Sequence, residues 1–296
     1  MVTLIPYPNT AKAVSLSPLT FELTANPGET VSNIIKVTNT DQNPVNVVIE
    51  IEDFAAIGEE GQVTLQPGED ASTYSLASWV SVSPRTLTIP GQDSGTVEFT
   101  ISLPFDAEPG GHYASVLASV SAAQTPGAVT ITQKVGSLLL MNVAGDVEEK
   151  LHIEEFSVEP FSEYGPVTIL SRFENTGSVH MKPRGFIFIK NMFGQEVEKL
   201  DLPQRNVLPR SIRRIEVPWG EKIMFGRYEA TLTAIYGSTN QPLSSVTTFW
   251  VIPWKIVTAA AIGLIILLSF LIKGRKRIRL ALRVLFRGAH KLPGSN

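Results

Sequence analysis

Val31-Ser-Asn-Ile-Ile-Lys-Val-Thr-Asn39 and Val45-Asn-Val-Val-Ile-Glu-Ile51 are two runs of alternating apolar and polar residues, separated by Thr40-Asp-Gln-Asn-Pro44. A period of two places successive side chains on opposite faces of a β-strand. A cluster of Asn, Asp and Pro between two such runs is typical of a turn. The stretch therefore predicts a pair of antiparallel strands, each with one apolar face.

Short runs of the same kind recur along the first 250 residues. Residues 19–24, 96–103 and 113–120 are rich in Val, Ile, Thr and Phe, and turn residues separate them. Runs of this length and spacing are typical of the antiparallel strands of a β-sandwich. Since no stretch before Trp250 has a helical period, we predict an all-β fold for this part of the chain.

Two short sequence motifs each occur twice, and they follow each other in the same order both times. A strand followed by Asn-Thr is found within residues 35–40 and 171–177, and Gly-x-Tyr opens a later run at Gly111 and at Gly226. Internal similarity of this kind indicates a repeated structural unit. We therefore predict two tandem Ig-like antiparallel β-sandwiches, at residues 14–145 and 146–249. Residues 1–13 are interpreted as a signal-peptide remnant or a linker, because residues 1–10 contain two prolines and no basic residue.

A long apolar run follows the second predicted sandwich. Residues 256–272 are all apolar or small, and Lys255 is the only charge between Trp250 and Ile272. The 23 positions of 250–272 would extend about 35 Å as a helix, which exceeds the ~30 Å of a bilayer's hydrocarbon core. We predict a transmembrane helix at 250–272, with Trp250 and Trp254 at the membrane interface.

The flanks of this run predict its orientation. The tail, residues 273–296, holds eight basic residues and no Asp or Glu, while the rest of the chain holds 17 Lys+Arg and all 28 Asp+Glu. Positive charge stays on the cytoplasmic side. We predict a single-pass cell-membrane protein with its ectodomain outside and a basic, helical tail in the cytoplasm. The predicted inner interface residues are Lys273, Arg275, Lys276 and Arg277.

No pattern of catalytic or ligand-binding residues is apparent. The chain has no cysteine, its four histidines form no His-x-x-x-His pair, and its paired carboxylates lack the spacing of a calcium loop. The sequence also lacks nucleotide-binding and nucleophile motifs. We therefore predict a protein that is not an enzyme, with no cofactor, no metal site and no nucleic-acid partner.

Four residues are candidates for a ligand or partner surface. Trp79 could offer an exposed aromatic platform, although a core position is the alternative. Arg210, Arg213 and Arg214 precede an apolar run, and alternation would place Arg210 and Arg214 on one face and Arg213 on the other. This basic strip could meet an anionic surface, or it could be an ordinary solvated strand face.

Several motifs of the first half resemble those of a bacterial surface family. They are Asn26-Pro-Gly-Glu-Thr-Val31, Val37-Thr-Asn-Thr-Asp-Gln-Asn-Pro44, Trp79-Val-Ser-Val-Ser-Pro84, Ile89-Pro-Gly91 and Pro104-Phe-Asp-Ala-Glu-Pro-Gly-Gly-His-Tyr113. Together they resemble the N-terminal domain of WxL-interacting proteins. The resemblance implies a peptidoglycan-binding Ig-like domain, a second Ig-like domain assigned to host binding, a transmembrane helix and a short basic tail.

These observations lead to two functional hypotheses. The first is a non-enzymatic surface protein, anchored in the lipid bilayer, whose Ig-like domains bind cell-wall glycan or a surface partner protein. The alternative is an accessory or scaffold subunit of a membrane complex, in which the transmembrane helix and basic tail make the specific contacts.

Overall fold

The computed structural model describes the backbone of residues 14–66, 74–121 and 132–287. Side chains are described for 14–66, 74–120 and 133–273. The predicted signal-peptide remnant or linker at 1–13 and the last part of the tail lie outside the described residues.

Ten strands form the first β-sandwich. They are β1 (Val14–Ser17), β2 (Thr20–Ala25), β3 (Thr30–Asn39), β4 (Val45–Ile57), β5 (Gln62–Gln66), β6 (Val80–Ser83), β7 (Thr86–Ile89), β8 (Ser94–Ser102), β9 (Gly110–Ser121) and β10 (Thr132–Val143). One sheet has the order β1-β3-β8-β6, and the other has the order β2-β10-β9-β4-β5, with β7 also paired to β4. Alternating side chains of both sheets fill the core, among them Phe99, Ile101, Leu139 and Met141.

The two runs that predict a strand pair are β3 and β4, and they lie in different sheets. The connection between them crosses from one sheet to the other, so they face each other across the core. The fully buried Asn39 stabilises this connection between the two sheets. Its amide Nδ2 donates to the carbonyls of Asn43, Ile89 and Pro90 at 2.8, 3.2 and 2.9 Å. The alternation of apolar and polar residues predicted the two strands. Their assignment to different sheets depends on contacts with residues 50 positions away, such as Ile89.

Eight strands form the second β-sandwich. They are β11 (Leu151–Val158), β12 (Phe161–Ser162), β13 (Val167–Asn175), β14 (Arg184–Lys190), β15 (Glu196–Asp201), β16 (Ser211–Trp219), β17 (Gly226–Tyr236) and β18 (Gln241–Val251). The sheet orders are β11-β13-β16 and β12-β18-β17-β14-β15. Buried Phe173, Phe249, Ile169 and Ile187 belong to a separate core. The predicted domain boundary, between residues 145 and 146, lies between β10 and β11.

The repeated Asn-Thr phrase has the same structural role in both sandwiches. Asn175 is fully buried like Asn39, and its Nδ2 donates to the carbonyls of Val179 and Val207, both at 2.8 Å. Its Oδ1 accepts from the backbone N–H of Gly177 at 2.9 Å. Each asparagine thereby satisfies backbone groups in the turn that leaves the third strand or its equivalent.

Helix α1 (Trp254–Arg287) follows β18. Its window Trp254–Lys273 is long and apolar enough to cross a membrane. The helix starts later than predicted, because Trp250 and Val251 end β18 and pair with Phe161 and Ser162 of β12. The same helix continues through Arg275, Lys276 and Arg277 into the predicted helical tail. The all-β fold class, with two Ig-like sandwiches before one C-terminal helix, is confirmed.

Candidate functional site

The turn between β4 and β5, residues 58–61, contacts the second sandwich. Arg172 of β13 donates to both carboxylate oxygens of Glu59, from Nε at 2.7 Å and from an Nη at 2.5 Å. The backbone N–H of Arg214 donates to the Glu59 carbonyl at 2.8 Å. Hydrogen bonds from Arg172 hold the pKa of Glu59 below its usual value. No local sequence pattern indicates this pair, since Arg172 lies 113 residues from Glu59.

Two arginines of the predicted basic strip, Arg213 and Arg214, lie at this contact, whereas Arg210 lies beside Tyr74. Arg213 packs its guanidinium over Gly61, so close that a Cβ at Gly61 would lie 1.2 Å from an Arg213 nitrogen. Arg214 forms ion pairs with Glu216 of its own strand and with Glu60, the latter at 3.8 Å. Arg210 precedes β16 at a positive φ of 55°, and its guanidinium carbon is 5.8 Å from the Tyr74 ring centre. Because Arg210 is outside the strand, the predicted alternation does not extend to it.

Trp79 is half-buried against the first core and ends a single 3₁₀ turn, Ala77–Trp79. Its ring centre is 4.5 Å from that of His112. Asp53 holds the turn by accepting from the backbone N–H groups of Leu76 and Ala77 at 2.9 and 2.7 Å. The four candidate surface residues are therefore not all in one place. Trp79 lies on the first sandwich, and a role in ligand binding for any of the four stays a prediction.

Apolar contact also joins the two sandwiches. Phe54, Tyr113 and Leu140 form a small buried cluster on the outer face of the first sandwich, and Leu208 of the second sandwich packs against it. The Tyr113 hydroxyl lies 3.5 Å from Nδ1 of His180. Burial raises the pKa of Tyr113 and lowers that of His180. The sandwiches are thus held together by a buried patch and by several ion pairs.

A cleft of about 280 Å³ opens between the sandwiches beside these contacts. Lys182, Arg205 and Arg213 line it together with Glu22 and Asn206. Glu22 accepts from Lys182 and Asn206. The Nε of Arg213 is buried and has no hydrogen-bond partner among the described residues. Cationic side chains with an unfilled donor suit a carboxylate or phosphate group.

Among the described residues, strand β10 is paired on only one side over its first half. It pairs with β9 along its whole length, whereas β2 pairs with it only from Leu138 to Val143. Within the described part of the chain, no strand pairs with residues 132–137 on the side away from β9. Unpaired backbone groups on such an edge are a template for a further strand.

The backbone geometry identifies which groups are available. The N–H of Leu138 donates to the Leu19 carbonyl at 2.9 Å, so Leu138 faces the β2 side. Because successive residues of a strand alternate, the N–H and C=O groups of Lys134 and Gly136 point to the same side. There they meet no strand among the described residues. An extended segment in line with β2 could pair with them.

Two of the other sheet edges are less available. Strand β15 carries Glu196, Glu198, Lys199 and Asp201, and charged edge strands resist pairing. Strand β2 is held against the second sandwich through Glu22. On β10, the charge of Lys134 is already matched, since its Nζ lies 2.9 Å from both Glu50 and Glu52.

The predicted membrane-interface residues lie at and beyond the end of β18. Trp250 and Trp254 are partly exposed, and Lys273 is exposed at the other end of the apolar window. Arg275, Lys276 and Arg277 follow within α1, and only their backbone is described. Lys255 forms an ion pair with Glu163 of the second sandwich at 2.8 Å.

No protein-family model matches the chain, and no curated protein does. Among solved structures, it is similar to the class 5 fimbriae chaperone CfaA at 12% identity, with 79% of this chain and 99% of that chain covered and a TM-score of 0.38. It is also similar to the Salmonella enterica SafB chaperone, solved with the SafA pilin, at 12% identity, 81% and 98% coverage and a TM-score of 0.38. A PapD-like domain of human CEP192 matches at 15% identity, 49% and 97% coverage and a TM-score of 0.31.

These matches correct two predictions. The resemblance to WxL-interacting proteins is wrong, because the matching structures are fimbrial chaperones and a PapD-like domain. The predicted function, a membrane protein that binds cell-wall glycan with a scaffold subunit as alternative, is wrong for the same reason. The prediction of a protein partner agrees with the chaperone that was solved with its pilin. The motifs led to the wrong family because Pro-Gly turns, and strands followed by Asn and Pro, are features of the β-sandwich itself. The prediction of a non-enzymatic protein agrees with these matches, which at such identities and TM-scores concern the fold alone.

Proposed function

We propose that this chain is a non-enzymatic, membrane-anchored protein that holds an extended segment of a partner protein against the open edge of β10, as a chaperone would. The observation that carries the proposal is the half-paired state of β10, since no strand among the described residues pairs with residues 132–137 on the side away from β9. In this proposal α1 crosses the membrane once, the sandwiches lie outside and the basic end of α1 is cytoplasmic.

Strand addition suits this edge for three reasons. The outward groups of Lys134 and Gly136 are already aligned by pairing with β9, so binding would order little of the receptor. On the same side of β10, the next six residues, Leu138 to Val143, already pair with β2. An added strand beside residues 132–137 would continue this ladder of hydrogen bonds. Main-chain hydrogen bonds would then supply affinity, and side-chain contacts would supply specificity.

The side chains along the open edge define what the partner segment would contact. Val135 is partly buried and packs on the first core, on the same face as Leu139. Lys134 lies on the other face with Glu50 and Glu52. An added strand with alternating apolar residues would extend the core past Val135 on one face and meet this charged group on the other. The partner class is therefore a polypeptide with an exposed, alternating β segment.

The test uses the full chain in phosphatidylcholine nanodiscs and a displayed library of 12-residue peptides, with empty nanodiscs for subtraction. We expect enrichment of peptides that alternate apolar and polar residues. Lys134→Pro removes one outward N–H without removing a donor to β9, and proline is tolerated on an edge strand. Loss of that hydrogen bond and the added ring should weaken binding at least about tenfold, which corresponds to ~1.4 kcal/mol.

Lys134→Ala is the matched control, because it removes the ion pairs with Glu50 and Glu52 but keeps the backbone N–H. Binding to this variant should stay within about threefold of the original chain. Equal binding to the Lys134→Pro chain would overturn strand addition at β10. Failure to enrich any peptide over empty nanodiscs would overturn the proposal as a whole.

A further inference from the structure

Four large apolar side chains are exposed in two turns of the second sandwich. Met192 and Phe193, between β14 and β15, are 48% and 80% exposed. Ile223 and Phe225, between β16 and β17, are 67% and 62% exposed. Isolated exposed apolar residues are common, but contiguous exposed apolar groups mark an interaction surface.

The two turns lie side by side at the end of the sandwich where the helix begins. Lys190, just before the first turn, pairs with Glu229 of β17. Gly226, just after the second turn, pairs with Val251, the last residue of β18. A Cβ at Gly226 would lie 2.5 Å from the Met192 methyl group, so the turns are in contact. We name Met192, Phe193, Ile223 and Phe225 the apolar tip.

The connection from the sandwich to the helix is short and held in place. Val251 and Pro253 are buried, and the N–H of Ile252 donates to the Ser162 carbonyl at 3.0 Å. The ion pair between Lys255 and Glu163, at 2.8 Å, fixes the first turn of the helix to the same sandwich. The three Cα–Cα steps from Val251 to Trp254 span at most about 11 Å. The apolar tip is therefore held near the level at which the apolar window of α1 begins.

We propose that the apolar tip is a membrane-contact face that lies in the interfacial layer of the same bilayer that α1 crosses. This inference rests on the proposed membrane anchoring. Continuity with the helix and its flanking Trp250 and Trp254 identifies the bilayer as the occupant. Aromatic and aliphatic side chains are the groups that enter this layer.

Charge argues for apolar insertion rather than for recognition of anionic lipid. The tip is flanked by Lys222 and Arg227, and equally by Glu221 and Glu229. With both signs present, no net field directs the face to acidic headgroups. The contact should therefore form on zwitterionic phosphatidylcholine alone.

The chain contains no cysteine, so single-cysteine variants can be labelled with a polarity-sensitive fluorophore. The test compares Phe193→Cys and Ile223→Cys in the full chain, reconstituted in phosphatidylcholine vesicles. Ile34→Cys, exposed on β3 of the first sandwich, is the aqueous reference. Leu267→Cys, within the apolar window of α1, is the lipid reference. Quenching by lipid-borne nitroxide and by aqueous iodide locates each label.

We expect labels at 193 and 223 to be quenched by the lipid nitroxide and shielded from iodide at least about threefold relative to the label at 34. If both behave like the label at 34 while the label at 267 is in lipid, the membrane-contact face is overturned and the anchor stands. If iodide quenches the label at 267, both the membrane-contact face and the proposed membrane anchor are overturned. If the shielding at 193 and 223 disappears when the protein is diluted in lipid, the apolar tip contacts a second copy of the chain. That result would overturn the inference.

Discussion

Arg172 and Glu59 lie on different sandwiches and are joined by two charge-assisted hydrogen bonds, at 2.7 and 2.5 Å. The planar guanidinium matches both carboxylate oxygens, which fixes direction as well as distance. With Leu208 packed against the Phe54–Tyr113–Leu140 cluster, this pair determines how the β4–β5 turn sits on the second sandwich. It also provides a titratable contact between the two sandwiches.

Acid should loosen this contact. The pKa of Glu59 is lowered from 4.5 by Arg172, so the pair stabilises docking fully above the unfolded value and loses its effect as pH falls through the lower, folded value. We expect amide exchange in residues 58–61 to increase below about pH 4, relative to exchange in β13. Hydrogen–deuterium exchange detected by mass spectrometry measures this increase.

Glu59→Gln should make exchange at residues 58–61 high at neutral pH and nearly insensitive to acid. Glu60→Gln is the matched control, since Glu60 is 3.8 Å from Arg214 and makes no two-point contact with Arg172. If Glu60→Gln loosens the turn as much as Glu59→Gln does, general charge at the turn, rather than the Arg172 pair, controls docking.

Gly61→Ala should displace Arg213 from the same turn. A Cβ at Gly61 would overlap the Arg213 guanidinium, whereas at Gly58 it would meet nothing within 4 Å. Both glycines have positive φ, 61° at Gly58 and 78° at Gly61, so either alanine has a similar backbone cost of about 1 kcal/mol. Gly61→Ala should lower the thermal midpoint more than Gly58→Ala does, by the cost of moving the flexible end of Arg213. Equal midpoints would mean that Arg213 moves aside freely.

Local sequence patterns identified several of the strands, among them β3 and β4, but few of the contacts between strands. The alternation that marks β3 and β4 is a property of each strand alone, whereas their separation into two sheets depends on Asn39 reaching Ile89 and Pro90. The basic strip was visible as a pattern, yet its neighbours at 58–61 lie about 150 residues earlier. The open edge of β10 had no sequence signal, because an edge is defined by which strand is missing beside it.

Asn39→Ala should be strongly destabilising. The two N–H groups of its buried Nδ2 are shared among three carbonyls, and alanine would remove both donors, at about 1–3 kcal/mol for each carbonyl that stays buried and unpaired. We expect a loss of about 3 kcal/mol, measured by tryptophan fluorescence during urea unfolding in micelles. Asn43→Ala, exposed in the same turn, should change the free energy of unfolding by less than about 1 kcal/mol. Similar losses in both variants would assign the effect to the turn backbone.

Leu264→Arg should remove the chain from the membrane fraction. Leu264 lies at the middle of the apolar window Trp254–Lys273, where an arginine makes insertion about 3 kcal/mol less favourable than an apolar residue does. Carbonate extraction of membranes, followed by detection of the full chain in pellet and supernatant, measures the change. Leu264→Ala keeps the window apolar and should leave the chain in the pellet. Retention of the Leu264→Arg chain after extraction would show that a different part of the protein holds it, and the apolar tip would then be the next segment to vary.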